Sequence, residues 1–476
     1  MKILDTFSRK KILLKKSKKP LNLFVCGPTV YDYIHIGNAR TYIVFDAFAK
    51  YLRSRGLGLF YLQNITDVDD KIINRAIKEN ISYSAVAKKF EREYFSDAEK
   101  LNITSVSKYA KATDYVKEIQ NQIKTLIKKG YAYETKNGVY FQVSKFKNYG
   151  LLSKKNLPKL RPGYRVEPDP AKKDPLDFAL WKKETGFKIP AAPSKKIISR
   201  IAGGKPVWSS PWGWGRPGWH IEDTAITEKH FGPQYDIHGG GIDIIFPHHE
   251  SEVAQQEAKS GKKPLVKIWM HVGMLLVNGE KMSKSLGNFI TAREFLKTNS
   301  ADVLRMVILS NHYRSPLNFK KESVMQAEKS LAAIKEFAAK LDFVCKNGKP
   351  AKTGFNIEKL MEKREKEFCS AMDDDFNTPK ALAAVFGFIS ELQNHIWLIS
   401  PKNAEKALKF ITEKLKIFEI KPKPSKIPGK IRDLAGKREQ FRSNKQFIQS
   451  DKLRDKIKML GYGMEDTPLG AFIVKK

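Results

Sequence analysis

Residues 21–40 constrain the fold more than any other stretch of the chain. Leu21–Cys26 reads as a short buried strand, and Gly27-Pro28 punctuates it. From Ala39 to Leu52 the apolar residues Ile43, Phe45, Phe48, Ala49 and Leu52 keep helical spacing. Leu59–Ile65 is a second buried strand. A strand–turn–helix–strand beginning predicts a doubly wound parallel α/β sheet. The connection reads Gly27-Pro-Thr-Val-Tyr-Asp-Tyr-Ile-His35-Ile-Gly37-Asn38-Ala-Arg40. Backbone amides at the start of such a helix attract phosphate, and Gly37 lets a flat base approach the backbone. His35 can donate to phosphate oxygens. In isolation the same string also fits a glycine-containing turn with an incidental histidine.

Helical patterns follow over 85–100 and 112–129, with Val116, Ile119, Ile123, Leu126 and Ile127 on one face and Gly130 at the end. Residues 131–215 change to short strands such as Gly138–Val143, set among Pro, Gly and Lys clusters. This predicts an insertion in the sheet domain over about 131–210, with an exposed loop over 188–206. Strand-and-turn texture returns at Tyr235–Phe246, and 320–418 is mainly helical, with patterns such as Leu331–Phe343 and Leu382–Leu398. A proline-rich break at 421–429 precedes a small tail.

Charge narrows the partners. The 476 residues carry 87 Lys+Arg against 51 Asp+Glu, a net +36. The tail alone, 421–476, has 15 basic and 6 acidic residues. A basic surface can be a proteome-wide habit, but clustered lysines also release counterions from a phosphate backbone, which predicts a polyanionic partner. Cys26, Cys345 and Cys369 form no CxxC pair and no disulfide framework, the inventory of a reduced, cytoplasmic protein. The longest apolar run, Trp269–Val277, is too short to span a bilayer, and the N-terminus has no apolar signal region.

Three further strings carry chemistry. In Lys281-Met-Ser283-Lys284-Ser285, two lysines and two serines can wrap a triphosphate and neutralise charge moving onto departing pyrophosphate. As a lone string it equally fits a solvated basic loop. No GxxxxGK[ST] occurs, which disfavours a P-loop NTPase. Asp236-Ile-His238-Gly239-Gly-Gly241-Ile-Asp243 permits close backbone approach, and Asp243 can accept from ribose hydroxyls. If Pro247 opens a helix, His248 and Glu252 share one face at i and i+4, a spacing suited to metal ligands. Position 253 is Val, so HExxH is absent and a zincin protease is excluded. Ser210-Pro-Trp-Gly-Trp-Gly-Arg216-Pro-Gly-Trp219-His220-Ile-Glu-Asp223 interleaves aromatics and glycines as a small-ligand pocket wall does, or a Trp-rich core turn.

Together these strings resemble the cysteinyl-tRNA synthetases, class I aminoacyl-tRNA synthetases. The resemblance runs from the Cys26 strand through Ala371-Met-Asp-Asp-Asp-Phe-Asn-Thr-Pro379 to Gly461-Tyr-Gly-Met-Glu-Asp-Thr-Pro. The family's first signature stands as His35-Ile-Gly37-Asn38 and its second is intact at 281–285. The resemblance implies activation of L-cysteine with ATP and Mg2+, then transfer to the terminal adenosine of tRNA(Cys), by a monomer. It implies catalytic roles for His35, Asn38, Lys281 and Lys284, and ATP contacts from Gly37, Gly239, Asp243, Ser283 and Lys284. Thr66 and Trp219 would border the substrate cysteine. A Zn2+ that binds the substrate thiolate would fall on Cys26, Asp223, His248 and Glu252. Position 223 departs from the resemblance, since the family usually has Cys there; carboxylate oxygen is also a zinc ligand. The implied architecture is a Rossmann-like catalytic domain over 1–275, a linking segment over 276–320, a helical domain over 321–420 and an anticodon-binding tail over 421–476. Two alternatives are a ligase joining cysteine to an amino sugar, which lacks such a tail, and an RNA-binding paralogue without catalysis.

Overall fold

The computed structural model describes residues 1–16, 18–155, 169–184, 205–349, 355–424 and 426–475. It divides into two compact units, one of residues 1–301 and 313–319, the other of 302–312 and 320–476.

The first unit opens with a hairpin, β1 (Lys2–Leu4) and β2 (Lys11–Leu13), ahead of the expected strand, which is β3 (Leu21–Val25). Then come α1 (Ile36–Ser54), β4 (Leu59–Ile65), α2 (Asp70–Glu79), α3 (Tyr83–Lys100), β5 (Lys108–Lys111) and α4 (Val116–Lys128). The helix expected over 112–129 is entered through a 3-10 turn at Ala112–Tyr115. The insertion is an antiparallel sheet in chain order: β6 (Ala132–Glu134), β7 (Gly138–Phe141), β8 (Phe178–Lys183) and β9 (Gly215–Pro217). The loop expected over 188–206 lies, up to residue 204, outside the described residues. After α5 (Ile221–Phe231) and β10 (Tyr235–Gly241), a π-helical turn at Ile245–His249 leads into α6 (Glu250–Ser260) and β11 (Val266–Val272).

The parallel sheet has the order β11-β10-β3-β4-β5. The chain therefore builds outward from β3 on one side, then returns to pair β10 with β3 on the other. That reversal creates a crevice at the carboxyl ends of β3 and β10, where doubly wound sheets hold ligands. Strand residues such as Leu23, Phe24, Tyr61 and Ile237 are fully buried, as expected of a sheet covered on both faces.

A small sheet follows: β12 (Leu275–Val277), β13 (Glu280–Lys281) and, after α7 (Ala292–Thr298) and α8 (Ala301–Leu309), β14 (Leu317–Phe319). Arg40, buried in α1, fastens this region to the main sheet by donating to the carbonyls of Gly273, Met274, Tyr313 and Ser315.

The second unit holds α9 (Lys321–Asn347), α10 (Ile357–Asp373), α11 (Thr378–Gln393), α12 (Pro401–Ile417), α13 (Gly429–Ser443), α14 (Phe447–Met459) and a hairpin of β15 (Tyr462–Thr467) and β16 (Gly470–Lys475). The pattern Leu382–Leu398 is not one helix, since α11 stops at Gln393 and a 3-10 turn covers Ile396–Leu398. Arg438 grips Asp466 through both guanidinium nitrogens and so ties α13 to the hairpin. Lys340 of α9 and the Trp397 indole both reach Glu465, and Phe472 packs edge-on against Phe343. Among the described residues no helix is long and apolar enough to cross a membrane.

Candidate active site

The His35 turn is built by capping. His35 is the N-cap of α1: the Asn38 amide donates to its Nδ1 (3.1 Å), and the Asn38 side-chain oxygen accepts from the His35 amide (3.3 Å). Each side chain satisfies a backbone donor that the helix start leaves open. Burial pushes the His35 pKa down to about 4, although Asp243 opposes the shift; Lys284 adds to it. The ring is therefore neutral near pH 7. With Nδ1 accepting, its proton sits on Nε2, free to donate outward.

The second signature lies against the first. The Ile36 amide donates to the Ile290 carbonyl (3.0 Å) and the Ala292 amide to that of Ile34 (2.9 Å). Phe289 meets His35 edge-on, centroids 5.4 Å apart, and the Lys284 ammonium stands 5.2 Å above the Phe289 ring. Lys284 pairs with Asp32, three residues before His35. Within the loop, Ser283 Oγ and Ser285 Oγ are 3.0 Å apart, and the Asn288 side chain accepts from the Ser283 amide. Lys281 is an exposed residue of β13. Asp243 is exposed on a 3-10 turn at Ile242–Ile244, just past β10.

Cys26 follows β3 at the switch point, with its amide donating to the Gly239 carbonyl of β10 (3.1 Å). The backbones here close tightly. A Cβ at Gly27 would stand 1.7 Å from the Asn64 carbonyl oxygen, and one at Gly239 would stand 2.2 Å from the Phe45 ring. Around the Cys26 sulfur gather Asp223 Oδ2 (3.6 Å), His249 Nε2 (3.1 Å) and His238 Nε2 (3.4 Å). His248 Nε2 is 3.0 Å from Asp223 Oδ2 and 3.2 Å from Glu252 Oε1. Ligand atoms of Cys26, His248, His249 and Glu252 all lie within 4.8 Å of one another. The structure thus brings together all four expected donors and adds His249. Pro247 does not open the helix as supposed. It sits in the π-helical turn, and α6 begins at Glu250, yet His248 still meets Glu252 one turn on.

The electrostatics are unusual for a buried site. Burial, then Asp223 and Glu252, push the Cys26 thiol well up. Burial and Asp223 likewise raise Glu252 and Glu222. Among the described residues neither oxygen of Glu252 receives a hydrogen bond, nor does Oδ1 of Asp223, although both residues are fully buried. Buried carboxylates normally find donors, so the crowding of these acidic groups around Cys26 lacks the partners that would offset their burial. Trp219 lies flat on the His248 ring, centroids 4.2 Å apart. Thr66, buried, donates its hydroxyl to Glu222, which also takes a bond from Asn64 (3.3 Å). Asp32, Glu222 and His249 carry no assigned role in the sequence reading. Asp32 and Glu222 sit inside quoted strings and His249 beside His248, but only a spatial partner gives each a role.

Comparison with known proteins bears on this arrangement. Residues 13–329 match the catalytic domain of class I tRNA synthetases (C), and residues 367–419 match a DALR domain. Solved structures share the fold: methionyl-tRNA synthetase from Mycobacterium tuberculosis, in complex with methionyl-adenylate, has a TM-score of 0.61 at 15% identity, covering 84% of this chain and 90% of that one. The LeuRS–tRNA–LeuAMS ternary complex from Agrobacterium radiobacter has a TM-score of 0.62 at 12% identity, covering 86% and 87%. Fold and site define a class I aminoacyl-tRNA synthetase. A cysteine–tRNA ligase from Caldicellulosiruptor saccharolyticus is 43% identical over 99% of this chain and 98% of its own length. Another from Thermoplasma volcanium is 45% identical over 94% and 93%. The chain belongs to the cysteine–tRNA ligase family.

Proposed function

We propose that the protein activates L-cysteine with ATP and transfers it to the 3′-terminal adenosine of tRNA(Cys). The observation that carries this reading is the backbone pairing of the His35 turn with residues 290–292, which directly follow the 281–288 loop. That pairing holds the two elements assigned to phosphate against each other.

In this reading the cysteine carboxylate attacks the α-phosphorus, the bond to the bridging oxygen breaks, and pyrophosphate leaves. Catalysis is positioning and charge stabilisation. Neutral His35 donates from Nε2 to a phosphate oxygen, and Asn38 holds that ring in place through the cap. Gly37 gives the adenine room, Gly239 brings β10 backbone to the nucleotide, and Asp243 accepts from the ribose. Lys281, Ser283 and Lys284 take up charge on the departing pyrophosphate, with Mg2+ arriving on the ATP. Thr66 and Trp219 flank the substrate side chain.

The residues present fit a zinc ion. Cys26, Asp223, His248 and Glu252 are anionic or imidazole donors, and the unbonded oxygens of Asp223 and Glu252 are lone pairs in need of a cation. His249 is a further donor in reach of Cys26. Zinc held there supplies a soft position for the substrate thiolate, which the hydroxyl of serine fills poorly.

The test is cysteine-dependent ATP–pyrophosphate exchange followed by charging of tRNA(Cys), with serine as competitor. Absence of exchange, or equal exchange with serine, sinks the reading. The full-length relatives, tail included, weigh against both the amino-sugar ligase and the non-catalytic paralogue.

A further inference from the structure

The Asp32 carboxylate divides its two oxygens between a partly buried partner and an exposed one. Oδ1 accepts from the Tyr33 amide (2.9 Å) and lies 2.9 Å from a guanidinium nitrogen of Arg75. Arg75 is itself locked: it donates to the Tyr31 carbonyl (2.9 Å), pairs with Glu79 (2.6 Å) and stacks 4.3 Å above the Phe90 ring. Oδ2 takes the Lys284 ammonium. The exposures differ sharply, since the Asp32 side chain is 13% exposed and that of Lys284 is 62%. The base of the loop is already fixed by the backbone bonds at 290 and 292. The Lys284–Asp32 pair therefore sets where its tip lies.

We propose that Asp32 is a positioning residue that docks the 281–288 loop onto the His35 turn, by offering Lys284 a negative charge where a triphosphate later supplies one. This rests on the phosphate-binding role of Lys284 in the function proposed above. A lysine ammonium is a compact charge on a flexible stem, so it can pass from carboxylate to phosphate without the backbone moving far. Arg75 stays behind to balance Asp32, so the exchange leaves no bare carboxylate. Asp32 thus holds the loop near its working place and competes with nucleotide for the same cation.

Four proteins test this: wild type, Asp32→Asn, Lys284→Ala and the double variant. Asparagine keeps an oxygen for the Tyr33 amide, and an unchanged melting transition checks the fold. Amide hydrogen exchange over 281–289 without nucleotide should run roughly 1.5- to 5-fold faster in Asp32→Asn, the range of one exposed ion pair. Inorganic pyrophosphate should bind tighter to Asp32→Asn by a similar factor, and that gain should vanish in the Lys284→Ala background. Equal loop exchange in wild type and Asp32→Asn overturns the proposal. So does a gain in pyrophosphate affinity of the same size without Lys284, which would be a plain loss of nearby negative charge. If Lys284→Ala leaves pyrophosphate affinity untouched while Asp32→Asn still loosens the loop, the docking role stands and the phosphate role of Lys284 falls.

Discussion

The Asn38 amide donates to Nδ1 of His35 across 3.1 Å, and this one bond makes the imidazole both a helix cap and a single tautomer. The two roles separate by substitution. Asn is as good an N-cap as any residue, so His35→Asn should melt like the wild type while pyrophosphate exchange drops by 10²-fold or more, the order expected for one lost transition-state donor. His35→Ala should lose activity and also about 0.5–2 kcal/mol of stability. Calorimetry beside exchange kinetics reads both.

The same ring sets a pH dependence. Its pKa falls from 6.5 to about 4 on folding, through burial. Between those values the unfolded chain binds the proton and the folded chain does not, so this group's contribution to stability is present above about pH 6.5 and is lost as pH falls toward 4. Chemical denaturation at pH 7 and pH 5 should show that loss in wild type and less of it in His35→Asn. The kcat profile should carry no histidine inflection near 6.5 from this residue.

Much of this was legible in the sequence. The runs at 21–26 and 59–65 are buried from both faces, which is why their largely apolar character, interrupted only by Asn22 and by Gln63-Asn64, identifies them. The strings at 35–38 and 281–285 stood out because phosphate chemistry needs those residue types. Pairings across hundreds of residues leave no local trace. Nothing in the spacing says that Lys284 meets Asp32, or that His249 rather than His238 comes closer to Cys26. Helix α2 was missed because only Ile72, Ile73 and Ala76 of its ten residues are buried, too short a stripe to read.

Lys284→Ala should cut the adenylation rate by about 10²–10³ while cysteine affinity changes little, as for removal of one group that stabilises departing charge. Single-turnover formation of cysteinyl-adenylate measures the rate, and equilibrium binding of cysteine the affinity. An unchanged rate removes Lys284 from the mechanism.

Asp223 reaches both Cys26 (3.6 Å) and His248 (3.0 Å), and in the proposed site it is a zinc ligand. Asp223→Ala should then sharply lower the zinc content of purified protein, and Asp223→Cys should restore or raise it. If Asp223 only orients His248, Ala should cost about 10–100-fold in affinity and Cys should do no better. Metal analysis after graded chelation distinguishes the two.

Neutralising Lys452, Lys456 and Lys458, exposed on α14, should weaken tRNA binding and flatten its salt dependence. Each lost phosphate contact reduces the slope of log K against log salt by about 0.7–0.9. Cysteinyl-adenylate formation should be unaffected. This variant is a cleaner probe than deletion after Glu419, which would also uncover Phe343 and Trp397 where the hairpin packs.

The bare backbone at Gly27 and Gly239 has an evolutionary consequence. A side chain at either position collides with the Asn64 carbonyl or the Phe45 ring before it can touch a substrate. The floor beneath Cys26 therefore cannot be retuned one residue at a time. In the proposed site, drift in which amino acid is accepted would then enter through Thr66, Trp219 or Asp223. A randomised library spanning floor and walls should return glycine at 27 and 239 in every active clone and keep all its variety at the rim. On the proposed reading, a carboxylate at 223, where the family resemblance implies a cysteine, is the kind of change such a site permits, made on the wall above a floor that resists substitution.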